Sequence, residues 1–144
     1  MKALIDTNII IDALQTRNGF FDDAQNVLIA AANGEYKGII ASNAILDIYY
    51  IIHRYTKDDY KTRNYISKIL TIFDVCDTTS KCIEDALMSK IHDYEDAVMS
   101  ETAYDIDADY IITRNIKDYR ESRVKAIEPQ DFLMLLDRQQ GEDN

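Results

Sequence analysis

Lys2-Ala3-Leu4-Ile5-Asp6-Thr7-Asn8-Ile9-Ile10-Ile11-Asp12-Ala13-Leu14 contains the unit from which the chain is built. Lys2–Ile5 reads as a short apolar strand. Asn8–Leu14 reads as a helix, with Asp6 or Thr7 placed to cap it. An acid therefore stands where strand gives way to helix. Moving outward, the unit recurs. Lys37–Ala41 is a second strand, and Ser42 is placed to cap a nearly continuous apolar helix, Asn43–Tyr55. Phe73–Cys76, Asp109–Thr113 and Val124–Ile127 read as the third, fourth and fifth strands. Helical patterns cover Phe20–Asn33, Asp58–Ile72, Ser80–Ile91 and Tyr94–Ile106, and Gln15–Gly19 is a loop. On the Asp58–Ile72 helix the apolar side is Tyr65, Ile66, Ile69, Leu70 and Phe73. Glu128-Pro129 opens a last helix to about Leu136, with Pro at the tolerated first position.

This alternation implies an α/β domain, a mostly parallel five-stranded sheet with helices on both faces. The 144 residues suit one domain, expected over 1–138, with a polar tail over 139–144. Hydrophobic residues at 47% and charged residues at 29% exclude a disordered chain. With no run of 18 apolar residues, no membrane association is expected. The apolar start is too short for a signal peptide, and Cys76 and Cys82 form no disulfide framework, so a reducing cytoplasm is expected. Sixteen Lys and Arg against 26 Asp and Glu give a net charge of −10. That balance argues against a plain nucleic-acid-binding module, whose affinity rests on neutralising phosphates. It is compatible with a nuclease whose acids hold divalent cations.

In parallel sheets the reactive residues sit just beyond the carboxyl ends of strands. Asp6 stands there after the first strand. Ser42 follows the second, and Asp47 lies on the helix after it. Thr113, Arg114 and Asn115 follow the fourth, with Asp118 close behind. The helix before that strand begins Asp93-Tyr94-Glu95-Asp96. Asp93 and Asp96 share a face, while Glu95 points about 100° away from Asp96. Asp93 also fits a helix cap, and Asp12 a solvated face. Asp47, inside Ala44–Ile52, is costly to bury without a cation or donor. Several carboxylates on one rim repel one another, and a hard cation such as Mg²⁺ or Mn²⁺, which takes oxygen ligands, relieves that repulsion. Such an ion activates water and stabilises charge on a phosphate, which points to metal-assisted phosphodiester hydrolysis. Other phosphate chemistries fit poorly. There is no Gly-rich loop. Asn8 stands where a haloacid-dehalogenase-like phosphatase needs its second Asp. Ile127-Glu128-Pro129 lacks the Lys of a receiver domain.

Leu4-Ile5-Asp6-Thr7-Asn8-Ile9-Ile10 resembles the opening signature of PIN-domain proteins. That fold is shared by the toxins of bacterial VapBC toxin–antitoxin pairs and by several RNA-processing endonucleases. The similarity continues through Ala41-Ser42 with Asp47, through Asp96-Ala97 with Ala103, and through Asp109–Asn115 with Asp118-Tyr119. It spans Lys2 to about Leu136. The resemblance implies a three-layer α/β/α sandwich and an Mg²⁺- or Mn²⁺-dependent endoribonuclease. The family's first three acids map onto Asp6, Asp47 and Asp96, the expected metal ligands. Two departures stand out. The second acid is usually Glu, and here it is Asp47. The place of the fourth acid is Asn115, which can coordinate or hydrogen-bond but adds no charge. Asp118 is the alternative fourth group, and Asp93 a further candidate.

RNA phosphates are expected at Arg114, Thr113 and Ser42. Two basic groupings could add to them, Arg54, Lys57, Lys61, Arg63 and Lys68, and Lys117, Arg120, Arg123 and Lys125. Tyr49, Tyr50, Ile52 and Tyr55 exceed what one core needs and offer a surface for a second copy or a protein partner. The resemblance suggests an antitoxin. The alternative reading, favoured by Asn115 and the acidic charge, is a catalytically weak PIN-like RNA-binding or assembly module.

Overall fold

The computed structural model describes residues 1–15 and 19–143. The expected loop over 15–19 lies largely outside them, as does the last residue of the expected tail. The strands are β1 Lys2–Ile5, β2 Lys37–Ala41, β3 Asp74–Cys76, β4 Tyr110–Ile112 and β5 Lys125–Ile127. The helices are α1 Thr7–Gln15, α2 Phe21–Ala32, α3 Ser42–Thr56, α4 Asp59–Ile72, α5 Ser80–Ala86, α6 Tyr94–Asp105 and α7 Pro129–Glu142. A 3-10 turn, Ile116–Tyr119, follows β4. The sheet runs β3-β2-β1-β4-β5, and every neighbouring pair is parallel. This is the α/β/α architecture expected from the sequence.

The order of the strands fixes where a site can form. From β1 at the centre the chain moves outward through β2 and β3, then crosses back to lay β4 and β5 on the other side. Connections leave in opposite directions at β1 and β4, and a crevice opens at their carboxyl ends. Leu4 is in register with Ile111 and Ile5 with Ile112. The Asp6 N–H then donates to the Ile112 carbonyl at 3.0 Å. Asp6 and Thr113 are thus the first residues past adjacent strands.

The interior strands are buried on both faces, which is why they read as continuous apolar runs. Leu4, Ile5, Ile40, Ile111 and Ile112 are fully buried. Ile9 and Ile10 of α1, Val27 of α2, Ile48 of α3, Ala103 of α6 and Phe132 of α7 cover them. Each large aliphatic or aromatic side chain so buried contributes about 1.5–3 kcal/mol. Gly38 of β2 lies under the Phe73 ring, where an added Cβ would sit 2.5 Å from a ring carbon.

Four local expectations change. Ser42 is the first residue of α3 and not its cap. Its hydroxyl instead accepts the Thr78 N–H at 3.2 Å and fastens the loop before α5. On α4, Ile69 and Phe73 are buried, but Tyr65 and Leu70 face solvent. Helix α5 stops at Ala86: the following N–H groups bond three residues back, and Leu87 and Met88 are left exposed. Helix α7 runs on to Glu142, past the expected end near Leu136.

Asp12, expected on a solvated face, is completely buried in α1. The Arg114 guanidinium donates to both of its carboxylate oxygens, at 2.5 and 3.3 Å, and lies 4.4 Å from the Phe20 ring centre. The pair ties α1 to the segment leaving β4 and holds the two lips of the crevice together. Arg114→Ala takes the guanidinium away from a buried carboxylate, so we expect a loss of about 2–3 kcal/mol in urea denaturation. A loss below about 0.5 kcal/mol would mean that the pair behaves as a surface ion pair.

Candidate active site

Asp6 leaves β1 half-buried, and its Oδ2 is surrounded by neutral donors. The Thr113 hydroxyl donates to it at 2.7 Å and the Asn8 amide at 3.2 Å. Backbone N–H groups of Thr7 and Asn8 also reach the carboxylate. Thr113 is fully buried; its hydroxyl also accepts the Asn115 N–H at 3.1 Å, which shapes the loop after β4. Thr113 therefore orients Asp6 and faces no solvent.

Helix α6 brings the second carboxylate. Asp93 caps it, accepting the Asp96 N–H at 3.0 Å, as one sequence alternative had it. Asp96, in the first turn, points toward Asp6. Between the two acids stands Tyr119, only 3% exposed. Its hydroxyl lies 3.2 Å from Asp96 Oδ1 and 3.5 Å from Asp6 Oδ2. Asp6, Asn8, Asp93, Glu95, Asp96 and Asn115 line one open cleft of about 310 Å³, walled on its apolar side by Ile11 and Ile51.

The remaining expected site residues are dispersed. Asp47 does have a partner, as its apolar helix requires, but that partner is Glu95: the two carboxyl groups share a hydrogen bond. Arg114 is turned onto Asp12 and away from the cleft. Ser42 bonds to Thr78, as described above. Asp118 is exposed on the 3-10 turn, close enough for its charge to act on Asp96. Two residues escaped the sequence reading, Glu95 and Tyr119. The Glu95 signal was present: an acid one step off the Asp93–Asp96 face points at whatever helix packs beside it. Tyr119 lies in the stretch that carries the family resemblance, but nothing local to Lys117-Asp118-Tyr119-Arg120 signals that its hydroxyl reaches two acids.

The electrostatics follow from burial without a cation. Burial raises the Asp6 carboxyl, partly offset by the Thr113 hydrogen bond. Burial pushes Asp96 up to about 6, and the charges of Asp93 and Asp6 add to it. Glu95 is pushed up to about 7, first by its hydrogen bond to Asp47, then by burial and the neighbouring acids. Among the described residues no three Asp, Glu, His or Cys side chains form a ready ligand group. Two carboxylates in a crowded acidic cleft nevertheless suit Mg²⁺, which is usually held by one or two carboxylates, with waters and phosphate oxygens completing its shell.

The PIN-domain family model matches residues 2–117. No curated protein matches the chain. Among solved structures, VapBC2 from Rickettsia felis, bound to a promoter DNA fragment, is similar at a TM-score of 0.70 and 20% identity, covering 89% of this chain and 98% of that one. A toxin–antitoxin complex from Klebsiella pneumoniae is similar at 0.65 and 23%, covering 88% and 97%. VapC20 from Mycobacterium tuberculosis, a sarcin–ricin-loop-cleaving toxin, is similar at 0.59 and 12%, covering 76% and 86%. With the family model spanning most of its length and the sheet order and strand-end acids in place, this chain belongs to the PIN-domain family.

Proposed function

We propose that the protein is a divalent-cation-dependent endoribonuclease and the toxin of a toxin–antitoxin pair. The observation that carries this reading is the meeting of Asp6 and Asp96 across the β1–β4 crevice with a neutral hydroxyl between them. Asp6 and Asp96 would hold Mg²⁺ or Mn²⁺, which supplies Lewis acidity toward a phosphate and a more acidic water. Thr113 and Asn8 fix the Asp6 carboxylate. Asn115, exposed on the rim, presents one acceptor and one donor amide group to whatever occupies the cleft. Glu95, its carboxyl raised by the neighbouring Asp47, stands at the edge of the site.

Arg114 is engaged with Asp12, so RNA phosphates are assigned to Lys117 and Arg120, both exposed on the turn beside the cleft. The exposed Tyr50 and Tyr55 of α3 offer the surface for an antitoxin or a second copy; Ile52, expected on the same surface, lies in the core. The solved toxin–antitoxin complexes of similar fold support this assignment. Among the described residues no helix is long and apolar enough to cross a membrane, and a cytoplasmic site of action suits an RNA substrate.

A second reading, a PIN-like module that binds RNA without cutting it, draws on Asn115 in place of an acid and on the −10 charge. One assay separates the two. Incubated with RNA and Mn²⁺, the wild type should cut, and Asp6→Asn or Asp96→Asn should abolish cutting while the fold persists. Cutting by either variant at the wild-type rate would remove these acids from the mechanism; RNA binding without cutting by the wild type would favour the second reading.

The same charges predict a pH effect on stability. A carboxyl raised in the folded state stabilises the fold below its unfolded value and loses that contribution as pH rises through the folded one. For Asp96 the window runs from about 4 to about 6. In chelator, Asp96→Asn should therefore melt above the wild type at pH 8, and the gap should close near pH 4. A variant that melts lower at pH 8 would contradict the repulsion argument. Asn115→Asp, which adds an anionic oxygen, should tighten Mg²⁺ binding by roughly 1–2 kcal/mol and raise the rate at low Mg²⁺. If Asn115 instead orients water through its amide N–H, the rate should fall. An unchanged titration and rate would place Asn115 outside the site.

A further inference from the structure

Thr113 and Asn8 act on Asp6 alone, whereas Tyr119 reaches both acids. Its ring is buried where β4 leads into the 3-10 turn, and its hydroxyl lies between Asp96 Oδ1 and Asp6 Oδ2. Burial holds the phenol firmly in its neutral form. A neutral phenol has one proton, so it donates to one carboxylate at a time. It screens the repulsion between the acids in part, as a dipole. A cation held by the same two acids would offset that repulsion more completely than a dipole can, and would draw on carboxylates that the hydroxyl contacts.

From this we infer that Tyr119 is a positioning residue that keeps the acid pair assembled when no cation is bound and thereby lowers the affinity for one. The inference rests on the cation reading above. Its logic is linkage: a contact made in the cation-free state and weakened in the bound state stabilises the former at the expense of the latter. Tyr119 thus sets the cation concentration at which the site fills.

Tyr119→Phe keeps the ring and removes the hydroxyl. It should melt lower than the wild type in chelator. In Mn²⁺ titrations followed by the electron paramagnetic resonance of free Mn²⁺, it should bind about three- to tenfold more tightly, the range for the net worth of an ordinary intramolecular hydrogen bond. A packing role alone would lower melting with and without Mn²⁺ alike and leave the affinity unmoved. Equal or weaker Mn²⁺ binding by Tyr119→Phe therefore overturns the inference. So does an equal loss of melting temperature when Tyr119→Phe is made in an Asp96→Asn background, where the repulsion is already gone. Failure of the wild type to bind Mn²⁺ at all is a different result: it overturns the cation reading itself, and this inference with it.

Discussion

Two carboxylates face each other at the carboxyl ends of β1 and β4 with only a phenol hydroxyl bridging them, and the rest of the site is arranged around that crowding. The fold makes it unavoidable. A parallel sheet whose connections reverse direction beside its first strand opens a crevice there. The residue leaving β1 is an aspartate, and α6 starts above it with another. Each neighbouring device limits the cost: Thr113 and Asn8 donate to Asp6, Tyr119 donates between the pair, and the Asp12–Arg114 bond keeps the two strand exits from parting. Burial still wins over those donors, since both acids are raised from their ordinary range. A site held in this condition is poised to take up positive charge.

The fold was legible because its signals are local and repeated. Each buried strand reads as an apolar run, and turn residues separate it from the helices. Asp6 was legible for the same reason, standing at a strand end. Spacing placed Asp93 and Asp96 on one face, and it was the resemblance to the PIN family that singled out Asp96. What could not be read were contacts made across the fold. Asp12 and Arg114 are 102 positions apart, and Tyr119 and Asp6 are 113 apart. Sequence put Arg114 beside the site because Thr113 and Asn115 flank it; a guanidinium long enough to reach α1 went elsewhere. The rule applied to Asp47, that an acid among isoleucines needs a partner, holds equally for Asp12 in Ile9-Ile10-Ile11-Asp12-Ala13, and there it would have called for a buried partner without saying which residue supplies it.

The acidic composition is consistent with this arrangement. A net charge of −10 repels RNA at long range, so any attraction must be local. The structure engages Arg63 with Asp59 and Arg123 with Glu101 and the Tyr104 ring. Lys117 and Arg120 remain exposed on the turn that also carries Tyr119. Under the proposed function, one short segment after β4 would govern both the phosphate contacts and the acid pair. Cation uptake would offset the charge of the two acids in the cleft, where a phosphate has to approach.

The account stands on where a divalent ion sits. A crystal grown with millimolar Mn²⁺ and measured at a wavelength where manganese scatters anomalously answers that without reference to activity. The account predicts one anomalous peak in the β1–β4 crevice, within coordination distance of both Asp6 and Asp96. A peak elsewhere, at Asp47 and Glu95 for instance, or an empty crevice at that concentration, would contradict it.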